Sequence, residues 1–163
     1  MAAISTSDDP TSSKGFGPFM PGFSNVPYGD AKALEEAIAA DHENIAAFMV
    51  EPIQGEAGVV VPPTGYLKEV KAICDKHNVL LICDEVQTGL ARTGTMLCSD
   101  FDEIKPDIVV LGKALSGGVY PVSAGETGQG ASAGRRGARE GRREAKGRRK
   151  DAKGRRSEAT TTN

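Results

Sequence analysis

The sequence predicts an α/β fold in which short parallel strands alternate with helices. Three short, largely apolar runs, at 45–50, 79–83 and 107–111, have the length and composition of buried strands. Two other segments, at about 31–41 and 65–77, repeat apolar residues at helical spacing. Strands that alternate with helices are joined by crossovers and form a parallel sheet. The chain is therefore predicted to contain a βαβ segment of such a sheet.

The segments between these elements are predicted as loops. Residues 1–28 are rich in Ser, Pro and Gly and are predicted to be irregular. Asp30 is predicted to cap the first helix, because its carboxylate can accept a hydrogen bond from a free N–H group of the first turn. Residues 51–64 contain three prolines and are predicted to form a loop, with a short extended piece at 59–61.

Two ionisable residues follow the second and third predicted strands. Asp84 comes after Leu-Leu-Ile-Cys, and Lys113 comes after Ile-Val-Val-Leu-Gly. Parallel sheets bind ligands at the carboxyl ends of their strands, so both residues are expected at one edge. Burial there would lower the pKa of a lysine and favour the amine that forms a Schiff base with an aldehyde cofactor such as pyridoxal phosphate. A carboxylate such as Asp84 would keep the ring nitrogen of that cofactor protonated.

Each of these residues also has an ordinary structural interpretation. Lys113 would then be a strand-end lysine whose methylene stem packs along apolar surface. Asp84 would be the cap of the turn that follows it. It is the occurrence of both residues in this joint context that favours a cofactor site.

Four blocks of sequence carry a resemblance to a known family. They are Phe16-Gly-Pro-Phe-Met-Pro-Gly-Phe23, Ala46-Ala-Phe-Met-Val-Glu-Pro-Ile-Gln-Gly-Glu-Ala-Gly-Val-Val-Val61, Asp84-Glu-Val-Gln-Thr-Gly-Leu-Ala-Arg-Thr-Gly94 and Pro106-Asp-Ile-Val-Val-Leu-Gly-Lys-Ala-Leu-Ser-Gly-Gly-Val-Tyr-Pro-Val-Ser-Ala124. In this order and spacing they resemble the ornithine aminotransferases, a family of class III pyridoxal-phosphate-dependent aminotransferases with the fold type I architecture. The resemblance implies that residues 1–124 are an interior part of the large domain of that fold.

The resemblance implies cofactor contacts for four residues. Lys113 would bind pyridoxal 5′-phosphate as a Schiff base and move protons, and Asp84 would pair with the pyridinium nitrogen. Val86 would pack against one face of the ring, and Gln87 would hydrogen-bond its phenolic oxygen. Lys113 and Asp84 would thus be the catalytic pair.

The resemblance also assigns two glutamates. Glu56 would be a gating carboxylate, which pairs with an arginine so that one site accepts first ornithine and then a 2-oxoacid. Glu51 would lie close to Gln87. Without the resemblance, both glutamates would be interpreted as water-facing residues of a turn. The family's gating arginine, phosphate-binding amides and ring-covering aromatic residue are expected to lie outside this chain. We therefore expect a truncated and inactive segment of an enzyme whose intact relatives are at least dimeric.

The last 39 residues differ in kind from the rest. Residues 125–163 contain 12 Lys and Arg and five Asp and Glu, a net charge of +7 within a chain of net charge −2. Gly-Arg-Arg occurs four times, and alanine is the only residue of the hydrophobic set present. Such a segment is predicted to be disordered. It would either bind nucleic acid through phosphate contacts or be a sequence translated out of the family's reading frame. We favour the second interpretation, because the segment lacks aromatic residues for base stacking.

Composition limits the other possibilities. The three cysteines form no even framework and are interpreted as free thiols in a reducing compartment. No apolar run approaches the length of about 18 residues that a membrane span needs. No targeting segment is recognised, so the expected location is the cytoplasm or the mitochondrial matrix. His42 and His77 lack the spacing of metal ligands, and no metal site is expected.

Overall fold

A computed structural model describes residues 2–7, 9–56 and 58–128 of the chain. Its centre is a four-stranded sheet in the order β1-β2-β3-β4. Strands β1 (Ala47–Val50), β2 (Leu80–Asp84) and β3 (Ile108–Leu111) are parallel neighbours. Strand β4 (Ala124–Thr127) pairs with β3 in the antiparallel direction. The predicted α/β fold with parallel strands is confirmed, and an antiparallel strand is added at one edge.

The described residues form four α-helices, and the two longer ones coincide with the predicted helices. The short helices α1 (Ala2–Ser5) and α2 (Pro10–Ser13) lie in the segment predicted to be irregular. Helix α3 spans Ala31–Asp41 and helix α4 spans Tyr66–Lys76. The predicted cap of α3 is confirmed, because the Asp30 carboxylate accepts a hydrogen bond of 2.9 Å from the N–H of Ala33.

The core lies between the helices and one face of the sheet. Leu81 and Cys83 of β2 are fully buried on this face, against Val70 and Cys74 of α4. The side chains that alternate with them on β2 point to the opposite face and are only half-buried. Neighbouring Met49 of β1 is 50% exposed. The helical layer of the described residues therefore covers a single face of the sheet.

All three cysteines are free, as the sequence predicted, and all three are buried. Burial raises the pKa of the thiols of Cys74 and Cys83 to about 12. Because the thiolate is the reactive form, these two side chains behave as small core residues rather than as nucleophiles.

Strand β4 crosses the predicted boundary between the folded part and the basic tail. Residues 125–127 were predicted to be disordered, and for them that prediction is wrong. Their side chains are exposed, so the strand is held by its backbone pairing with β3, which runs from Leu111–Ala124 to Ile108–Thr127. A polar segment can join a sheet edge in this way without contributing to the core. Residues 129–163, with both interpretations of the basic tail, lie outside the described residues.

None of the helices in the described part of the chain is long and apolar enough to cross a membrane.

Candidate active site

The residues proposed as a site lie at one edge of the sheet, where the parallel strands end. Glu51 follows β1 directly, Asp84 is the last residue of β2, and Lys113 lies two residues beyond β3. This is the edge at which parallel α/β sheets bind ligands. The expectation that the strands deliver these residues to a common edge is therefore met by the geometry.

Lys113 stands on an unusual backbone at the end of β3. Its φ angle is +41°, in the left-handed region that favours glycine. It begins a short 3₁₀ helix, Lys113–Ser116, after the extended residue Gly112. Strained backbone of this kind clusters at functional sites, although Asn78, Leu90, Ala91 and Glu103 also have a positive φ. The sequence predicted a buried lysine at this position, but the side chain of Lys113 is 44% exposed among the described residues.

The turn after β2 brings two of the proposed residues against the end of β3. The Asp84 carboxylate accepts a hydrogen bond of 3.0 Å from the N–H of Val86, which leaves its second oxygen without a partner among the described residues. The side chain of Val86 packs over Gly112, where an added Cβ would lie 3.1 Å from it. The side-chain oxygen of Gln87 accepts a hydrogen bond from Nζ of Lys113. Asp84 thus starts a turn in which Val86 and Gln87 face the Lys113 segment.

A buried carboxylate, which the sequence analysis overlooked, fixes the same turn. Glu85 is only 1% exposed, and its carboxylate accepts hydrogen bonds from the Thr88 hydroxyl and from the N–H groups of Cys98 and Ser99. The signal for it was present, since Leu81, Cys83 and Glu85 share the period of two that marks one face of a strand. A glutamate on the buried face must find such partners, because an unpaired charge there is very costly.

The loop after β1 supplies the remaining two residues. Gln54 and Val60 exchange backbone hydrogen bonds of 3.0 and 3.1 Å, so the predicted extended piece at 59–61 is an isolated antiparallel bridge. The hairpin that it closes carries Glu56, whose carboxylate lies 3.6 Å from Nζ of Lys113. At the base of the loop, the Tyr28 hydroxyl lies 3.1 Å from the carbonyl oxygens of both Glu51 and Pro52, to which it donates.

Glu51 lies in a partly desolvated, negatively charged environment. Burial raises the pKa of its carboxyl above the ordinary 4.5, and the charge of Asp84 raises it further. The N–H of Gly55 and the amine of Lys113 act in the opposite direction. Glu51 is therefore electrostatically coupled to both of the residues proposed to be catalytic.

Replacing Glu51 by glutamine is expected to stabilise the protein at neutral pH. A carboxyl whose pKa is raised in the folded state lowers stability as the pH rises from its unfolded pKa through its folded pKa. The variant lacks this loss, so its advantage should be small near pH 4.5 and full at pH 8. Urea unfolding at a series of pH values measures it, with Glu43→Gln on the exposed turn after α3 as the control. Equal stability of Glu51→Gln and the unmodified protein at pH 8 would contradict the assignment.

Gly55 leaves the space that Gln87 occupies. A Cβ at position 55 would lie 1.9 Å from Nε2 of Gln87, which is an overlap. Replacing Gly55 by alanine should therefore displace the end of the Gln87 side chain and break its contact with Lys113. The cost in stability should be small, about 1 kcal/mol, because a flexible side chain can move aside. Unfolding measurements, together with the rate at which an amine-specific reagent acetylates Lys113, would check both effects. Gly125→Ala is the control, because Gly125 has neither a positive φ nor a neighbour within 4 Å of the added carbon. Gly58 is less suitable, because its φ is positive.

The described site residues fit pyridoxal phosphate by their chemistry. They comprise an amine on Lys113, a carboxylate oxygen of Asp84 that accepts no hydrogen bond from the described residues, an amide on Gln87 and an apolar surface on Val86. Because glycine has no side chain, Gly55 leaves space for Gln87 and Gly112 leaves space for Val86. In contrast, no group of three or more His, Cys, Asp or Glu residues in the described part is arranged to hold a metal ion.

Comparison with known proteins places this arrangement in a family. The family model for class III aminotransferases matches residues 1–131. The mitochondrial ornithine aminotransferase of Rattus norvegicus is 63% identical over 124 residues, which are 76% of this chain and 28% of the rat protein. The chain thus spans less than a third of the length of this relative.

Two solved structures resemble the fold described above. The ornithine aminotransferase of Toxoplasma gondii, in which PLP partly occupies the active site, has a TM-score of 0.75 and 55% identity. The match covers 77% of this chain and 29% of that one. The acetylornithine aminotransferase of Elizabethkingia anophelis has a TM-score of 0.65 and 58% identity, over 66% of this chain and 28% of that one. Because the family model covers most of the sequence, the chain belongs to the class III aminotransferases.

Proposed function

We propose that this chain carries the cofactor-binding lysine of an ornithine aminotransferase, which moves an amino group from ornithine to a 2-oxoacid. The observation that carries the proposal is the convergence of Lys113 with Gln87 and Glu56 at the carboxyl edge of the sheet. The left-handed backbone of Lys113 and the likeness to ornithine aminotransferases support it. The similarity to the acetylornithine aminotransferase of Elizabethkingia anophelis makes acetylornithine the second candidate substrate.

The residues of the site would hold the cofactor in a defined way. Lys113 would attach it covalently through Nζ, and the free carboxylate oxygen of Asp84 would hold a proton on the ring nitrogen. Val86 would support one face of the ring, and the Gln87 amide, freed from Lys113, would donate to the phenolic oxygen. When bound, pyridoxal phosphate supplies an aldehyde for amines and a ring that accepts electrons from a neighbouring carbon.

The remaining chemistry rests on proton transfer and charge. Nζ of Lys113 would take the proton from the substrate carbon that bears the reacting amine, as a general base. Glu56, at 3.6 Å from that nitrogen and 91% exposed, would be the movable carboxylate that distinguishes the amino-acid substrate from the 2-oxoacid. Glu51 would keep negative charge beside Asp84 and favour a cationic ring.

Arginine would be the usual group for gripping a substrate carboxylate. Arg92 is the single arginine among the described residues, and none of the ion pairs found there joins it to the site. We therefore assign this role to none of the described residues. Its compartment is proposed to be the mitochondrial matrix, in line with the name of the rat relative.

The proposal is tested by adding pyridoxal phosphate to the purified chain and reducing with borohydride. Peptide mass mapping should find one phosphopyridoxyl group, on Lys113. Ornithine or acetylornithine, added before the reduction, should displace the cofactor from Lys113 and so lower the amount of label on this residue. Ornithine is expected to lower it more. Label distributed evenly over the lysines would refute the proposal, and preferential release by acetylornithine would reassign the substrate.

A further inference from the structure

The buried carboxylate of Glu85 is costly to keep in the core, which raises the question of what it does. It is 1% exposed, and none of the ion pairs in the described residues gives it a cation. Its partners are the Thr88 hydroxyl and the N–H groups of Cys98, at 3.0 Å, and Ser99, at 2.8 Å. Removing a carboxylate from water without a counter-ion is unfavourable, even with its hydrogen bonds made.

These hydrogen bonds connect the end of β2 with a segment far along the chain. Cys98 and Ser99 begin the 3₁₀ helix Cys98–Asp102, whose first N–H groups have no partner within the helix. Between Glu85 and Cys98, the chain first makes a turn, which is closed by a hydrogen bond of 2.8 Å from the Gly89 N–H to the Glu85 carbonyl. The side chain and the backbone of Glu85 therefore fix the turn independently.

Gln87 lies inside this doubly fixed turn. Its amide oxygen contacts Lys113, and its amide nitrogen fills the space left by Gly55. We infer that Glu85 is a positioning residue of the site: it holds the turn that carries Gln87 against Lys113. Glu85 touches neither the lysine nor, by its burial, any ligand at the edge of the sheet. The inference rests on the proposed function only in identifying this edge as the cofactor site.

A purely structural role would predict a different behaviour. Loss of Glu85 would then lower stability and leave the contact between Gln87 and Lys113 as it is in the folded molecules. The two roles are separated by a measurement on Lys113 itself, made where every variant is folded by circular dichroism.

Glu85→Gln is the informative variant, because it keeps the shape and changes the hydrogen bonding. Its NH₂ group must face an N–H of Cys98 or of Ser99, so one of these donors loses its acceptor. The full chain without ligand is treated briefly with an acetylating reagent, and the rate at Lys113 is compared with that at Lys32, which is 85% exposed on α3. We expect Glu85→Gln to raise the relative rate at Lys113 by about threefold or more, as Gln87→Ala should.

The double variant provides the decisive comparison. If Glu85 acts through Gln87, the rate at Lys113 in Glu85→Gln/Gln87→Ala equals that in Gln87→Ala alone, whereas independent effects multiply. Ile38→Val, in the core on α3, is the control for loss of stability and should leave the rate unchanged. Should Glu85→Gln be unfolded, Thr88→Ala, which removes one donor, is expected to raise the rate in the same direction. An unchanged rate in the folded variant, or multiplying effects, would overturn the inference.

Cofactor labelling separates failure of this inference from failure of the proposed function. If the unmodified chain gives no phosphopyridoxyl group on Lys113 but the acetylation rates are coupled as expected, the function fails and the positioning role stands. If Lys113 is labelled equally in the unmodified chain and in Glu85→Gln, and the acetylation rates do not differ, the function stands and the positioning role fails.

Discussion

Replacing Lys113 by alanine is expected to abolish the attachment of pyridoxal phosphate to this chain. The covalent bond needs a primary amine, so the label recovered from the peptide that contains position 113 should fall at least about 100-fold. The other lysines of the described part stand outside the site and should give only the weak labelling of exposed amines. We expect Lys113 to be the preferred position, because only there would Gln87 and Val86 add contacts to the bound cofactor.

Lys113→Arg is the matched control for this change. The guanidinium keeps the positive charge near Glu56, which lies 3.6 Å from the amine of the unmodified residue, but it cannot act as the nucleophile. Its stability should therefore resemble that of the unmodified protein, while its labelling should match that of Lys113→Ala. If either variant carries an equal amount of the phosphopyridoxyl group on another residue, the cofactor has no specific site at this edge.

The second large effect is expected from Gly89→Ala. A Cβ at this position would lie 2.8 Å from the carbonyl oxygen of Glu85 and 3.0 Å from a methyl carbon of Leu111. The first of these neighbours is backbone and cannot move aside without opening the turn. The substitution should cost about 2 to 3 kcal/mol of unfolding free energy. In a domain of this size, that corresponds to a fall in the melting temperature of about 5 to 15 °C.

Gly125→Ala is the appropriate comparison, because Gly125 has no neighbour within 4 Å of the added carbon and no positive φ. Thermal and urea unfolding followed by circular dichroism would give both differences under the same conditions. Gly125→Ala should differ from the unmodified protein by less than about 0.5 kcal/mol. If Gly89→Ala and Gly125→Ala have the same free energy of unfolding, the close packing of the turn after β2 does not stabilise the protein.

The parts of the fold that could be predicted from the sequence are those with a periodic apolar pattern. Helix α4 and strand β2 carry such a pattern, and their predicted limits lie within a residue of those observed. Strand β4 carries none, because Gly125-Glu-Thr127 joins the sheet by backbone pairing alone. The short helices α1 and α2 were missed for a related reason: each is a single turn, and one turn is too short to show a period.

The site could be predicted in position but not in environment. Its position follows from a topological rule, which places the residues after parallel strands at one edge. Its environment depends on which atoms surround each side chain, and for this reason Lys113 was expected to be more buried than it is. Glu85 was missed because a glutamate is by default assigned to the surface, although its place in the alternation of β2 indicated the interior.

Adjacent acidic residues at the end of β2 face in opposite directions, Asp84 toward the site and Glu85 into the core. A side-chain period of two means that deleting or inserting one codon within this strand would exchange the two carboxyl groups. A single such event would turn Asp84 into the core and Glu85 out of it, so that neither carboxyl group would keep its present hydrogen bonds. This stretch of the gene should accordingly accept conservative replacements far more readily than changes in length.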